Sequence, residues 1–147
     1  MKYYFAYGSN MNSLRIKNRK FVYSKRLKAK LFNYKLIFNA INFKLKGAAF
    51  ANIMPSANSI VEGIVYLTNE KSLKELDKFE ISGKCDYHRK ELEVETDEGK
   101  LLCVVYVTDK IAINLKPTKE YLSHLLKGKE FLSKGYYEKL KKIETID

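Results

Sequence analysis

Apolar and polar residues alternate with a period near two over most of this chain, and the period lengthens to three or four in a few short stretches. A period of two marks half-buried strands; a period near 3.6 marks amphipathic helices. Residues 2–7 read as a first strand, and residues 11–19, with Met11, Leu14 and Ile16, as a short helix or helical turn. Residues 21–31 read as a strand with lysines on its solvated side, Asn33 as a turn, and residues 34–41 as a second strand paired with it in a hairpin. Gly47 opens the next segment, residues 48–54 are small and apolar like a buried strand, and Pro55-Ser56-Ala57-Asn58 reads as a turn. Residues 59–68 are strongly β-like, and Gly63 inside them signals a bulge or a close backbone approach.

The period changes over residues 69–80, where Leu73, Leu76 and Phe79 recur every three residues and predict a helix that Ser82-Gly83 ends. Residues 87–96 alternate, with Leu92 and Val94 on one face and Glu91, Glu93 and Glu95 on the other. Asp97-Glu98-Gly99-Lys100 is a hairpin turn, and residues 101–108 return as an apolar strand. Pro117-Thr118 starts a helix carrying Tyr121, Leu122, Leu125 and Leu126, and another helix follows Ser133 with Tyr136, Tyr137, Leu140 and Ile143 on one face. Six or seven strands grouped as hairpins, with three or four helices, predict an α+β fold. Its mostly antiparallel, curved or barrel-like sheet has helices packed outside, unlike a doubly wound parallel sheet. Residues 1–147 are read as a single domain.

Composition changes this picture little. Hydrophobic residues make up 46% of the chain, enough for a core, and no apolar run approaches the roughly 20 residues that span a bilayer. The apolar run after Lys2 is too short for a signal peptide and ends in Gly-Ser-Asn, so a cytoplasmic protein is expected. The net charge of +11 raises the possibility of a nucleic-acid partner. The lysines, however, are spread along the chain, often at helical spacing from glutamates, which reads as a solvated surface. Cys85 lies in a polar, loop-like segment and Cys103 in an apolar strand; His88 and His124 are isolated, so no metal site is expected.

Two stretches carry candidate chemistry. In Tyr4-Phe5-Ala6-Tyr7-Gly8-Ser9-Asn10-Met11 a strand runs into Gly-Ser-Asn. Gly8 permits a sharp bend and close approach of a ligand. Ser9 and Asn10 are good cap residues, and the free N–H groups of a helix start attract anions. The alternative is a plain strand-to-helix turn. The second stretch centres on Glu80, which closes a helix between Phe79 and Ile81. Apolar neighbours strip water from a carboxyl group and raise its pKa, which suits it to general acid–base chemistry near neutral pH. The alternative is a surface glutamate at a helix end.

The combination resembles the γ-glutamylcyclotransferase-like (AIG2-like) family. Tyr7-Gly8-Ser9-Asn10-Met11 after the first strand resembles the family's opening motif. Leu76-Asp77-Lys78-Phe79-Glu80 followed by Tyr87-His88-Arg89 resembles its Leu-Asp-x-x-Glu…Tyr-x-Arg segment, placed after the strand Gly63-Ile64-Val65-Tyr66. Gly135-Tyr136-Tyr137-Glu138-Lys139-Leu140 resembles its closing Tyr-x-x-x-Leu helix. The three motifs occur in order along almost the whole chain, which is far more specific than any one of them. One departure is Ile81, where the family commonly has a glycine directly after its catalytic glutamate; the nearest glycine is Gly83. The departure bears on loop shape and substrate preference.

The resemblance implies an enzyme of the acyltransferase/lyase kind that acts without a cofactor on a small γ-glutamyl amide. The substrate's own α-amine attacks its γ-carbonyl, releasing 5-oxoproline and a free amine or amino acid. Glu80 is then the catalytic acid/base, and Tyr7, Gly8, Ser9, Asn10, Met11, Tyr87 and Tyr136 are the substrate-binding candidates. For each tyrosine the alternative is a core or rim aromatic. Arg89 is a partner for a substrate carboxylate or for the glutamate-rich strand, and Asp77 a structural residue bonded to nearby backbone. No membrane and no nucleic acid as main partner are expected, with the chain a monomer or homodimer. Three other readings stay open: a γ-glutamylamine cyclotransferase, a non-catalytic binding relative, and a basic RNA-binding β-barrel.

Overall fold

The structure, a computed structural model, describes residues 1–82 and 85–147, with only the backbone of Ser82. Its core is a closed five-stranded barrel in the order β1 (Lys2–Ala6), β3 (Ala49–Thr68), β2 (Lys25–Ile41), β6 (His88–Thr96) and β7 (Gly99–Val107). All neighbours are antiparallel except β7 and β1, which close the barrel in parallel at Tyr4 and Val104. Four helices, α1 (Ser13–Lys17), α2 (Glu70–Glu80), α3 (Lys119–Leu126) and α4 (Lys134–Lys141), accompany it, as does a two-stranded pair, β4 (Ile81–Ser82) and β5 (Cys85–Asp86). The expected barrel-like sheet is thus present. Gly83, expected with Ser82 to end α2, lies outside the described residues; the helix itself stops at Glu80, with Ile81 as its C-cap. No helix among the described residues is long and apolar enough to cross a membrane.

The two turns expected at Asn33 and at 55–58 are corrected. β2 runs through Asn33 without reversing, and β3 runs through Pro55-Ser56-Ala57-Asn58, so that β2 and β3 form one long antiparallel pair. The register slips between Phe32, opposite Ile60, and Tyr34, opposite Pro55. At this irregularity Asn33 and Asn58 both adopt φ near +65°, and the Asn58 N–H donates to Asn33 Oδ1 at 3.2 Å. Asparagine tolerates the left-handed region, which serves a β-bulge as readily as a turn. The true reversal is at residues 42–48, where Gly47 takes φ +84°. Residues 21–24 precede β2, and Phe21 is buried among the core aromatics instead.

That aromatic core fixes β1. Tyr4 lies 5.7 Å from the rings of both Phe21 and Tyr106, and Tyr66 lies 5.6 Å from Phe21 and 4.9 Å from Tyr23. Edge-to-face pairs of this kind add to the burial of each ring. Gly63 makes the close approach anticipated for it. A Cβ there would stand 2.3 Å from the Ala6 carbonyl oxygen and 2.8 Å from the Phe5 ring. The absent side chain lets β1 lie tightly on β3, with Ala6 opposite Ile64, just before the chain leaves the barrel at Gly8. Gly63→Ala is therefore expected to destabilise the fold by about 1–3 kcal/mol, as overpacking does, measured as a lowered midpoint in denaturant unfolding.

Candidate active site

Beyond β1 the chain makes a single 3-10 turn, Ser9–Met11, and Asn12 then caps α1 through its side chain, which accepts from the Leu14 N–H at 3.2 Å. Ser9 and Asn10 are thus not the caps that their residue types suggested. Their N–H groups open the turn and, among the described residues, make no backbone hydrogen bond, as expected of the first N–H groups of a helical turn. The Asn10 side chain instead reaches into the protein. Its Nδ2 donates to Tyr4 Oη at 3.0 Å and to Glu80 Oε1 at 3.1 Å, and its Oδ1 accepts from Arg19 Nη1 at 3.2 Å. Its carbonyl oxygen accepts from Tyr66 Oη at 2.7 Å. The buried amide is thereby satisfied on both sides.

Glu80 is delivered from the opposite direction. Asn69 caps α2, its side chain accepting from the Ser72 N–H at 2.8 Å, and Leu73 and Leu76 bury the inner face of the helix. Arg89 on β6 then clamps that helix. Its guanidinium donates to both oxygens of Glu70, at 3.0 and 2.9 Å, and to both oxygens of Asp77, at 2.9 and 2.8 Å. Tyr106 Oη donates to Asp77 Oδ1 at 2.6 Å. Arg89 therefore pairs with the helix, not with the glutamates of its own hairpin, and Asp77 is structural through side chains instead of through backbone. Forked pairs of this kind fix orientation as well as position. Glu80 follows Asp77 by one helical turn, and its carbonyl accepts from the Tyr87 N–H at 3.0 Å.

The Glu80 side chain is 14% exposed. Burial pushes its carboxyl above the ordinary value of 4.5, while Arg19, Arg15 and the hydrogen bond from Asn10 pull it down and Asp77 adds to the rise. The expected direction is present, but the expected cause is corrected. Phe79 and Ile81, the sequence neighbours, are 42% and 51% exposed. The carboxyl is enclosed by residues distant in sequence, with Tyr4, Asn10 and Tyr87 among those lining the same cavity. Among the described residues no hydrogen bond reaches its second oxygen, Oε2.

Glu80 borders a cavity of about 170 Å³ that Tyr7, Gly8, Ser9, Asn10 and Tyr87 also line. The hydroxyls of Tyr7 and Tyr87 are already committed, donating to the carbonyls of Tyr106 at 2.6 Å and Ala51 at 2.5 Å, so these residues act as walls. Met11 and Tyr136 are not brought there. Met11 is a core residue packed under Gly128, and Tyr136 packs on the hydrophobic cluster from α4. Cys85 is buried, with its thiol 3.4 Å from the Phe79 carbonyl, and is no loop residue.

Tyr121, Arg15 and Arg19 are among the lining residues absent from the sequence-based set. Tyr121, on α3, accepts from the Ala51 N–H at 3.1 Å, which leaves its own hydroxyl proton uncommitted among the described residues. It stands against Gly8, where a Cβ would come within 3.2 Å of its oxygen. Arg15 enters from α1 and Arg19 from the turn just after it. Their four-residue spacing just after the Gly-Ser-Asn turn puts them on one helix face, a signal available in the sequence; Tyr121 was indistinguishable from its leucine neighbours.

The sequence model of the family described as "Gamma-glutamyl cyclotransferase, AIG2-like" matches residues 4–131. The chain is 32% identical over 150 residues to a human gamma-glutamylcyclotransferase, covering 98% of this chain and 79% of that one. The mouse gamma-glutamylcyclotransferase is also 32% identical, with 96% and 78% covered. A solved structure of a gamma-glutamyl cyclotransferase superposes with a TM-score of 0.84 at 30% identity, covering 99% of this chain and 89% of that one. With its barrel, its loop and its buried glutamate accounted for, the chain belongs to the γ-glutamylcyclotransferase, AIG2-like family, and its activity is of the cyclotransferase class.

Proposed function

We propose that this protein converts a γ-glutamyl amide to 5-oxoproline and a free amine or amino acid, with Glu80 as the proton shuttle. The observation that carries this reading is the Glu80 carboxyl itself. It is buried, held through Oε1 by Asn10, open at Oε2, and set on the same cavity as the Gly8–Asn10 turn. The substrate α-amine gives up a proton to Glu80 and attacks the γ-carbonyl carbon. The ring C–N bond forms, the bond to the leaving nitrogen breaks, and the same proton passes to that nitrogen. One carboxyl group with a raised pKa suits both transfers, since its affinity for the proton lies closer to working pH.

The remaining needs are positional. Among the described residues the Ser9 and Asn10 N–H groups make no backbone hydrogen bond, and they serve as fixed donors to the substrate α-carboxylate or to the developing oxyanion. The uncommitted Tyr121 hydroxyl adds a donor beside Gly8. The walls formed by Tyr7 and Tyr87 favour a folded substrate, bringing amine and carbonyl into reach and lowering the entropic part of the barrier. Nucleophile and electrophile belong to one molecule, so the reaction calls on no co-substrate.

A panel of γ-glutamyl dipeptides, glutathione and γ-glutamyl-ε-lysine, assayed by mass for 5-oxoproline, tests the reading. The wild type is expected to release it from at least one member, and Glu80→Gln, nearly the same size, to lose about a hundredfold or more in kcat. Near-wild-type turnover by Glu80→Gln would remove the assignment. A second expectation concerns stability. Glu80 has its folded pKa raised above the ordinary 4.5, so the folded state holds this proton more tightly than the unfolded chain. Its contribution is fully present below about pH 4.5 and is lost as pH rises through the folded value. Glu80→Gln, which never ionises, should therefore gain in Tm relative to wild type as pH increases from 4.5 toward 8; a Tm difference independent of pH would contradict it.

A further inference from the structure

We propose that the protein has a second ligand besides its substrate: single-stranded nucleic acid, bound along a strip of alternating cations and aromatic rings that runs from α1 over the start of β2 to α4. The first sign is the distribution of charge. Lysines are spread along the whole chain, but acids are not, and the first of them is Glu62. Residues 1–61 hold twelve of the 28 lysines and arginines and none of the 17 acids. Residues 62–147 carry sixteen cations against 17 acids, so the whole excess of +11 belongs to the first part of the chain. Charge asymmetry of this size points to a polyanionic partner.

The fold joins part of that charge into one line. Lys17 Nζ lies 5.7 Å from the centre of the Tyr23 ring, and the Arg26 guanidinium lies 5.8 Å from the same ring and 4.9 Å from that of Phe131. Phe131 closes a 3-10 turn that Lys129 opens. Lys129 and Lys141 Nζ stand 5.2 and 5.6 Å from the Tyr137 ring. These distances are within reach of cation–π attraction. A ring face holds a cation in place without cancelling its charge, as a carboxylate would. Among the described residues Lys17, Arg26 and Lys129 make no ion pair, while Lys141 pairs with Glu138 at 3.6 Å. α1 and β2 contain no acid, and the 3-10 turn and α4 contain one each, Glu130 and Glu138. Glu62 is committed to the Ser133 N–H and hydroxyl, both at 2.7 Å, and Glu98 to Lys25. The alternation favours one partner. A single strand presents phosphate and base in turn, and a surface of cations and rings takes both. An acidic polypeptide offers no bases to the rings. A bilayer calls for apolar side chains projecting past the cations, whereas Tyr23, Phe131 and Tyr137 are half-buried. The strip is also separate from the catalytic cavity: Arg15 lines the cavity, and Lys17, two residues further along α1, lies off that face.

Fluorescence anisotropy with a labelled single-stranded RNA of about 12 nucleotides, within the span of known single-strand sites, tests this. The wild type is expected to bind with a Kd of about 1–100 μM at about 50 mM salt and to weaken as salt rises. Lys17→Gln with Lys129→Gln should weaken binding about tenfold or more and lower the slope of log K against log salt by about 1.4, two single-strand phosphate contacts. Lys44→Gln with Lys46→Gln, in the reversal at residues 42–48, removes the same charge away from the strip and should cost less than about threefold. All four lysines are exposed, so both double variants should keep the wild-type Tm. The assay does not involve turnover, so it decides the strip's role whether or not 5-oxoproline is released. Absence of binding at about 50 mM salt overturns the proposal. So does equal weakening by the two lysine pairs, which would assign binding to the general charge of the surface. Tighter binding of polyglutamate, or of vesicles containing phosphatidylserine, also overturns it and would assign the strip to an acidic protein or to a membrane.

Discussion

The site depends on the hydrogen bonding of one buried side chain, Asn10. Its amide joins Tyr4 on β1, Glu80 at the end of α2 and Arg19 beyond α1, and its carbonyl is held by Tyr66 on β3. Glu80 and Asn10 of the turn are 70 residues apart in sequence and are joined directly by this side chain. An amide is well suited to the task. It donates twice and accepts at one oxygen without carrying charge, so it orients the carboxylate while leaving most of the desolvation effect in place. A second carboxylate there would repel Glu80, and an apolar residue would leave Tyr4 and Glu80 each short of a donor.

The barrel supplies the rigidity that makes such a contact reproducible. β1 is pressed onto β3 at Gly63 and wrapped by aromatic rings, so the turn leaves the barrel at a fixed point. α2 is pinned from β6 and β7 through Arg89 and Tyr106 to Asp77, one turn before Glu80. α3 packs against the Ser9–Met11 turn and brings Tyr121 over Gly8. Each catalytic candidate is therefore set on an element whose orientation is determined elsewhere, which is how a site holds near-attack geometry without relying on loop order.

Much of this was legible in the sequence where the cue is local. The extent of α2 followed from the spacing of Leu73 and Leu76, and the starts of α3 and α4 from Thr118 and Ser133, whose side chains do cap them. The β6–β7 hairpin followed from Asp97-Glu98-Gly99-Lys100. Asn33 and Asn58 misled because a left-handed asparagine looks the same in a turn and in a bulge; only the ladder resuming on both sides distinguishes them. The motifs placed Glu80 and the Gly-Ser-Asn turn in one site, but partners set by tertiary structure were not readable. Arg89 chose helix carboxylates over strand ones, and Glu80 is buried by residues from β1, the turn and the segment after α2, while its own neighbours Phe79 and Ile81 stay largely exposed.

The ionisation of Glu80 in the folded protein is the quantity on which the account turns. Following the side-chain carboxyl carbon of Glu80 by NMR against pH, in protein labelled at glutamate and assigned with Glu80→Gln, reads it directly. The account predicts a midpoint above the ordinary 4.5, because burial outweighs Arg19, Arg15 and Asn10. A midpoint at or below that value would mean that the neighbouring cations win, leaving Glu80 too weak a base at working pH to take the proton of the substrate amine.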